Sequence, residues 1–596
     1  MKIAIVLLLA GTSAFGAPAP AFPGCEGAGK FTTGGRGGSV FVVTSLRADG
    51  PGSLAEAVSK PHRIITFAVS GIIDLTAGKA AKAKGGKLVL EQPGITILGQ
   101  TAPGEGICLK GGSLTVSASN VIVRHLRSRR GFVRDTDTGD AIEFKPVSIG
   151  VKEAPAGKTQ ASFDKVAQKK AGRGKQINAF AAMESIVLDH CSASWATDEN
   201  MTVTHADQTT VSYCIAAEGL DYTNEKQTPP NHAEGSLWGS SAPDGRATMH
   251  HTLYAHNRLR NPRTVGGAEV PPVLTLYNCA VYDWSEYPTH TGSERIHLQW
   301  LNNYYKPGPS TPPAIGNIAF EFHGDPGARV FARGNVIEGH SEATRDNALA
   351  IGWHPKLDKL TDADRQAMLV REPFAEVPAT MQAARDAFAT ILAEAGATLP
   401  ARDSVDLRLL TQARDGAGKI IGKETDLPEA QRWPDYRALP ALADGDGDGL
   451  PDFWEKQHGL NPADAADSAH LGAGGYAHIE HYANNSDPEG KEAPIVFISA
   501  TVARATPQQQ GEWRIHRTGD LDEALVVGYK IGGDATASDF APLSGTVTLP
   551  AGSRSAPIAL DPLTGAQDDR TVVLTLEAAR SFHLGCPSQS LIVIRR

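Results

Sequence analysis

Four basic or imidazole side chains lie within eight residues of one another. They are His256, Arg258, Arg260 and Arg263, and they follow a short strand-like run that ends at Ala255. Because guanidinium groups bind carboxylates in a bidentate fork, this concentration predicts a surface that binds an acidic ligand. The alternative is ordinary surface charge. The chain as a whole has a net charge of −9, which gives no argument for a nucleic-acid partner.

Residues 444–455 form a second cluster, which is acidic. They fit the calcium-loop pattern D-x-D-x-D-G-x5-E in full. The predicted ligands are Asp444, Asp446, Asp448, the backbone carbonyl of Leu450, and the bidentate Glu455. We expect this loop to hold a structural Ca²⁺ ion and to stiffen a connection between two larger units.

The elements that position the basic cluster are short β-rich runs between about residues 40 and 340. Their equivalent positions recur at intervals in the twenties, for example 23 residues from Cys191 to Cys214 and 25 from Cys279 to Tyr304. A period of this length is typical of a solenoid, and one coil of a parallel β-helix fits it. The alternative is a β-sandwich, whose strands recur at about 8–12 residues.

Two further patterns follow the solenoid. Residues 378–396 keep one apolar face and end at a glycine, which predicts a helix that packs on the solenoid, whose ends need covering. Residues 493–596 contain short alternating strands separated by turns, which is typical of a β-sandwich. The lysine-rich stretch 151–176 is interpreted as a solvated loop.

The N-terminus is interpreted as an export signal over residues 1–16. Lys2 precedes the apolar run Ile3–Ala10, and a small-x-small cleavage site follows. We therefore expect a secreted or extracytoplasmic protein that does not contact a membrane. Such a protein can form disulfides, but the spacing of its six cysteines assigns no pairing.

Several phrases between residues 22 and 345 together resemble the pectate lyase superfamily, polysaccharide lyase family 1, in its secreted bacterial branch. These phrases include Thr33–Gly38, Gly99–Gly104, Asp189–Asn200, Gly235–Gly239 and Arg260–Arg263. Members of this family are right-handed parallel β-helices that cleave polygalacturonate by β-elimination with calcium. The resemblance therefore implies an all-β fold of this kind, a Ca²⁺ cofactor and an acidic plant cell-wall polysaccharide as partner. We expect the enzyme to be a monomer.

The resemblance also implies roles for individual residues. Arg260, in the phrase Arg260-Asn261-Pro262, matches the arginine that acts as the base. Arg263 would clamp a carboxylate of the substrate, although a further family arginine is replaced here by Val265. Because arginine is normally protonated, an arginine base implies an alkaline pH optimum. The remaining expected substrate contacts are His256, Arg258 and Arg124.

The calcium ligands implied by the resemblance come from two coils. Asp140 matches the first phrase and Asp198 the second, while a third acidic position holds Thr202 and Glu199 substitutes for it. Glu234 occupies the position of a substrate-binding lysine, which reverses a charge in the expected cleft. Either another cation such as Lys226 replaces that lysine, or the preferred substrate is a methylated pectin or another uronan.

The predicted organisation has five parts. They are a signal peptide at 1–16, a catalytic β-helix at 22–345, a cap at 346–437, a calcium-loop segment at 438–488, and a sandwich at 493–596 that resembles a Calx-β module. Two other functions stay open. One is a β-helix glycoside hydrolase, which needs a pair of carboxylic acids about the scissile bond. The other is a non-catalytic carbohydrate-binding protein.

Overall fold

The larger part of the chain forms a right-handed parallel β-helix, as the sequence predicts. The computed structural model describes residues 18–77, 86–133, 139–146, 148–151, 177–180, 183–222, 232–267, 270–292, 294–491, 493–563 and 568–595. The proposed signal peptide, Lys226 and nearly all of the stretch 151–176 lie outside these ranges. None of the helices in the described ranges is both long enough and apolar enough to cross a membrane.

Three parallel sheets run along the β-helix, and each coil after the first strand, Ser39–Val43, contributes one strand to each sheet. The first sheet contains Ser39–Val43, Arg63–Phe67, Ile95–Leu98, Val121–Arg124, Met183–Asp189, Ala206–Ser212, Arg246–His250, Val273–Tyr277, His297–Leu301 and Arg329–Arg333. The second sheet contains Gly86–Leu90, Gly112–Val116, Ile142–Phe144, Met201–Val203, Leu237–Gly239, Arg263–Val265, Thr289–Thr291, Phe320–Phe322 and Ile351–Trp353. The third sheet contains Gly71–Asp74, Ile107–Lys110, Leu126–Arg129, Ser192–Ser194, Ile215–Ala217, Leu253–Ala255, Ala280–Tyr282, Tyr304–Lys306 and Val336–Ile337.

The turn from the first sheet to the third contains one residue with left-handed backbone in successive coils. His125, His190, Tyr213 and His251 hold this position with φ between 49° and 51°. Their rings stack with centroids 4.9, 4.8 and 4.7 Å apart, close to the spacing of neighbouring strands. The inward side chains of the three sheets form one continuous apolar core. The stack and the core hold successive coils in register, so residues at equivalent positions align along the β-helix axis.

The two longest helices cover the outer face of the third sheet. The α-helices in the described ranges are Leu54–Ala57, Ser341–Arg345, Asp362–Met368, Ala384–Glu394, Ser404–Asp415, Asp452–Gln457 and His478–Asn484. Ile391 and Leu409, from the two longest helices, pack against Ile215 and Leu253 of the sheet. Arg129, fully buried, pairs with Asp403 and Asp406 at 2.7 Å each and fixes the second of these helices. The helix predicted over residues 378–396 is shorter in the structure, Ala384–Glu394, because the first residues of the predicted range form a turn and irregular backbone.

A sandwich of two sheets follows. Its four-stranded sheet contains Ser555–Leu560, Gly511–Thr518, Ile495–Val502 and His583–Leu584. Its five-stranded sheet contains Arg504–Ala505, Gln589–Ile594, Arg570–Leu576, Leu525–Gly533 and Thr546–Leu549. Trp513 is fully buried between the sheets. The likeness of this module to a Calx-β module stays a prediction.

All six cysteines are free thiols with buried side chains. Cys191 and Cys214 belong to the core of the β-helix, together with Cys279. Cys586 lies where the sandwich meets the β-helix, and its thiol donates to the carbonyl of Gln100 at 3.6 Å. Burial raises the pKa of Cys586 to about 12. These residues act as small buried side chains.

Candidate functional site

The candidate active site lies at the edge of the second sheet where its strands begin. Asp140, Glu199, Glu234 and Arg260 each precede a strand of this sheet by one to three residues. Parallel backbone bridges join Glu199 to Glu234 and Glu234 to Leu259. Stacking of successive coils therefore brings together residues that are up to 120 positions apart in the chain.

Three carboxyl groups form the acidic half of the site. Asp140, Asp198 and Glu199 each offer a carboxylate oxygen, and these atoms lie within 4.8 Å of one another. Burial, together with the negative charge of Asp198, raises the pKa of Asp140 to about 8. Burial and the charges of both aspartates likewise raise the pKa of Glu199. A cluster of hard oxygen ligands fits Ca²⁺, which takes such ligands in a flexible geometry.

Arg260 forms the basic half of the site. Its Nη1 atom contacts the carboxylate of Glu199 and lies 2.5 Å from Oε2 of Glu234. Burial alone would lower the pKa of Arg260, but the charges of Glu199 and Glu234 outweigh it and raise the pKa. The backbone of Arg260 is left-handed, with φ +62°, which is uncommon for a residue with a side chain. Arg260 is thus a charged donor beside these carboxylates.

Buried asparagines hold the loops beneath Arg260. The side chain of Asn200 donates to Asn257 at 2.9 Å, and Asn257 donates to Asn261 at 3.0 Å. Asn257 also accepts from the backbone of Gly219. A buried amide with satisfied hydrogen bonds fixes its surroundings. The sequence analysis missed Asn257, although asparagines just before two strands of the second sheet, Met201–Val203 and Arg263–Val265, were a signal for this network.

His232 and Glu234 complete the site. His232 Nδ1 lies 3.0 Å from Asp198 Oδ1, and its Nε2 lies 3.6 Å from Glu234 Oε1. The hydrogen bond to Asp198 raises the pKa of His232. Burial alone would raise the pKa of Asp198, but the hydrogen bond from His232 outweighs it and lowers the pKa. Glu234, which replaces the expected lysine, lies directly against Arg260 and forms an ion pair with it. His232 was not anticipated from the sequence.

Arg263 and Arg258 lie beside this group. Arg263 begins the adjoining strand of the second sheet, and its Nη2 is 3.6 Å from Glu294. Arg258 contacts Glu286 and lies 3.8 Å from Asp221. The side chain of Arg258 is 20% exposed and that of Arg263 is 24% exposed, so both can reach a ligand.

The structure does not bring His256 or Arg124 to the candidate active site. His256 is fully buried, and its Nδ1 lies 2.7 Å from Asp283. Arg124 lies on the first sheet, pairs with Asp189 at 2.8 Å and covers the ring of Phe22. Both side chains stabilise the β-helix, so neither enters the proposal below as a contact of the substrate. Thr202 and Val265 are buried on strands of the second sheet.

The loop 444–455 has the backbone arrangement of a cation-binding loop. Its Asp444 carboxylate accepts hydrogen bonds from the N–H groups of Gly447 at 2.8 Å, Asp448 at 3.2 Å and Gly449 at 3.0 Å. Carboxylate oxygens of Asp444, Asp446 and Asp448 lie within 4.8 Å of one another. Gly447 and Gly449 are left-handed, with φ +77° and +92°, as the tight turns require. The backbone of the loop thus wraps around the three carboxylates in a defined turn.

Comparison with known proteins identifies the family. The chain is 30% identical over 478 residues to a probable pectate lyase C of Aspergillus fumigatus strain Af293, covering 78% of this chain and 94% of that protein. A probable pectate lyase C of Emericella nidulans is 30% identical over 481 residues, covering 79% and 93%. One from Aspergillus flavus is 29% identical over 477 residues, covering 78% and 94%.

Two other comparisons add little. No protein-family profile matches the chain. A crystal structure of the apo form of the Calx CBD1 domain matches 17% of this chain and 96% of its own length, at 17% identity and a TM-score of 0.15. Likeness at that level is too low to assign the sandwich. The identity to the three fungal proteins extends over most of both chains, and the chain belongs to the pectate lyase family.

Proposed function

We propose that this protein is a calcium-dependent lyase that cleaves polygalacturonate by β-elimination, with Arg260 as the base. The observation that carries the proposal is the position of Arg260 beside three carboxyl groups that lie within 4.8 Å of one another. Elimination at a uronic acid requires removal of a proton next to a carboxylate, and the negative charge there makes that proton weakly acidic. A base and a cation side by side meet this requirement.

Each residue of the site has a role in this proposal. Asp140, Asp198 and Glu199 would hold the ion. When bound, Ca²⁺ neutralises a carboxylate of the substrate and so acidifies the neighbouring proton. Arg260 Nη1 takes that proton, and Arg263 on the adjoining strand clamps a second carboxylate. Because Glu199 and Glu234 raise the pKa of Arg260, its neutral form becomes available only at alkaline pH.

The test measures the absorbance of unsaturated product from polygalacturonate at pH about 9. We expect the wild type to form product with calcium and to lose at least about 99% of that rate with a chelator or with Arg260→Ala, since a general base contributes 10²–10⁴-fold. Arg414→Ala is the control, because that arginine is exposed and pairs with its neighbour Asp415. Full activity of Arg260→Ala would rule out the arginine base.

A second candidate is a lyase that acts on a methyl-esterified pectin or on another uronan. Glu234 supports it, because this carboxylate lies in the cleft at a position where the family resemblance implies a lysine. A negative charge there disfavours a fully charged polygalacturonate. Parallel assays on polygalacturonate, methylated pectin and other uronans decide between the two substrates. If none of them yields unsaturated product, the remaining proposal is a carbohydrate-binding protein.

We also propose that the protein is exported and works on acidic plant cell-wall polysaccharide. The N-terminal sequence supports export, and the acidic ligand follows from the arginines of the cleft. Secretion into the medium by the native host, followed by N-terminal sequencing of the mature protein, tests this. Retention of Lys2 in a cell-associated product would contradict it.

A further inference from the structure

The calcium loop has an acidic neighbour that lies outside its twelve-residue pattern. Carboxylate oxygens of Asp448, Glu455 and Asp467 lie within 4.8 Å of one another, and all three side chains are buried. Asp467 accepts a hydrogen bond from the backbone of Asn461 at 3.1 Å through Oδ2. Its Oδ1 atom has no hydrogen-bond partner within the described ranges. One oxygen of Asp467 is therefore held in place and the other is available to a ligand.

Several other buried oxygens at this point also have no partner in the described part of the chain. They are both carboxylate oxygens of Asp446, both of Glu455, Oδ2 of Asp448 and the hydroxyl of Ser468. Ser468 is 1% exposed and Glu455 is fully buried. Burial of unpaired carboxylates is costly, and hard oxygen atoms in this number are what Ca²⁺ requires. The neutral hydroxyl of Ser468 is an observation independent of the acidic residues, because it lies beside Asp448 without the alignment of a hydrogen bond.

We propose that Asp467 is a ligand of the same ion as the loop, with Ser468 beside it, so that calcium ties the segment 461–469 to the loop 444–455. The geometry extends this role to the β-helix. A Cβ atom on Gly449 would lie 2.9 Å from the hydroxyl of Thr66, so the loop backbone rests directly on the first sheet. Leu450 packs in one apolar cluster with Ile64 of that sheet.

The same cluster reaches the sandwich. Cys586 belongs to it, and Asn485 holds Cys586 by two hydrogen bonds, at 2.6 Å to its N–H and 2.8 Å to its carbonyl. Asn485 follows directly on the helix His478–Asn484, whose Ile479 packs in the cluster with Leu450. An ion that fixes the loop therefore also fixes the junction where the β-helix and the sandwich meet. This inference does not depend on the lyase activity.

The direct test replaces the carboxylate of Asp467 without changing its shape. Calcium titrations followed by thermal unfolding compare the wild type, Asp467→Asn and Asp464→Asn. Asp464 is the matched control, because it lies three residues earlier in the same segment and is exposed. We expect Asp467→Asn to need at least about tenfold more free calcium for half of the stabilisation, and Asp464→Asn to follow the wild type. Coincident titrations of all three proteins would overturn the assignment of Asp467.

A second measurement keeps the test valid if Asp467→Asn is unstable. Terbium replaces calcium, and Trp454, which is buried next to Glu455, sensitises its emission. The measurement is made in the Asp198→Asn background, in which the cleft no longer competes for the ion. We expect terbium to bind the loop at least about tenfold more weakly in Asp467→Asn than in Asp464→Asn. Equal affinity would overturn the proposal.

The role in the junction has its own readout. Hydrogen exchange is measured on the full chain with calcium and with a chelator. We expect removal of calcium to speed exchange at least about tenfold in the helix His478–Asn484 and at Cys586, while the centre of the β-helix, for example Met183–Asp189, stays unchanged. If exchange at the helix and at Cys586 is the same in both conditions, the ion does not fix the junction.

Discussion

Substitution of Glu234 by glutamine should make Arg260 a stronger base at moderate pH. The two side chains are 2.5 Å apart at their nearest atoms, and Arg260 is 24% exposed. Charges about 4 Å apart attract by about 4 kcal/mol at an effective dielectric constant of about 20. Part of this is lost to solvent, and Glu199 still holds the arginine. We therefore expect the substitution to remove about 1.4 kcal/mol, which lowers the pKa of Arg260 by about one.

The direction of the change in the pKa of Arg260 follows from the charge that is removed. Glu234 stabilises the protonated guanidinium, so its loss favours the neutral form that can accept a proton. Below the pKa, the neutral fraction increases tenfold for each fall of one in that pKa. At saturating calcium, the rising limb of log kcat/KM against pH should therefore move about one pH unit lower in Glu234→Gln.

The assay is the formation of unsaturated product across pH 7 to about 11, with Glu489→Gln as the control. Glu489 pairs with Lys491 on the surface, far in sequence from the cleft. The control should keep the wild-type profile. A Glu234→Gln profile with the same rising limb as the wild type and a uniformly lower rate would refute the reasoning, because Glu234 would then act on the metal or the substrate and not on Arg260.

Two further predictions concern stability. Burial, with the neighbouring charge of Asp448, raises the pKa of Glu455 from 4.5 to about 7 in the ion-free protein, so the folded chain keeps a proton that the unfolded chain has lost. Without calcium the free energy of unfolding should therefore fall as pH rises from about 4.5 to about 7, and saturating calcium should abolish this slope in thermal melts at pH 5 and 8. Arg129→Ala removes the guanidinium that pairs with the buried Asp406 and one of the two that pair with Asp403. It should cost about 3–5 kcal/mol in urea unfolding, whereas a cost below about 1 kcal/mol would mean that Arg129 is not essential there.

The coil architecture was predictable because its period is visible in single residues. The 23-residue offset of Cys191 and Cys214 corresponds to two neighbouring coils, and both thiols lie in the core. The calcium loop was visible for a similar reason, since its ligands are local in the chain. The role proposed for Asp467 was not visible in the sequence, because a ligand from outside the loop has no fixed spacing to the residues of the loop.

The candidate active site was predictable in part. Four of its residues belong to short sequence motifs that could be recognised locally, and stacking of the coils brings them to one edge of the second sheet. They are Asp140, Asp198, Glu199 and Arg260. His256 illustrates the limit of this reasoning. It lies only four residues from Arg260, but the chain turns between them, so one side chain is buried against Asp283 while the other reaches the cleft. Proximity in sequence does not specify the side of a coil that a residue occupies.

The six buried thiols have a consequence for how the chain can mature. Burial raises the pKa of Cys25, Cys191 and Cys279 to about 12 each, so almost no thiolate exists to attack a disulfide at neutral pH. Because no disulfide joins these thiols, the fold needs no oxidant to hold it together. In the folded protein, oxidants in the surroundings find little thiolate with which to react.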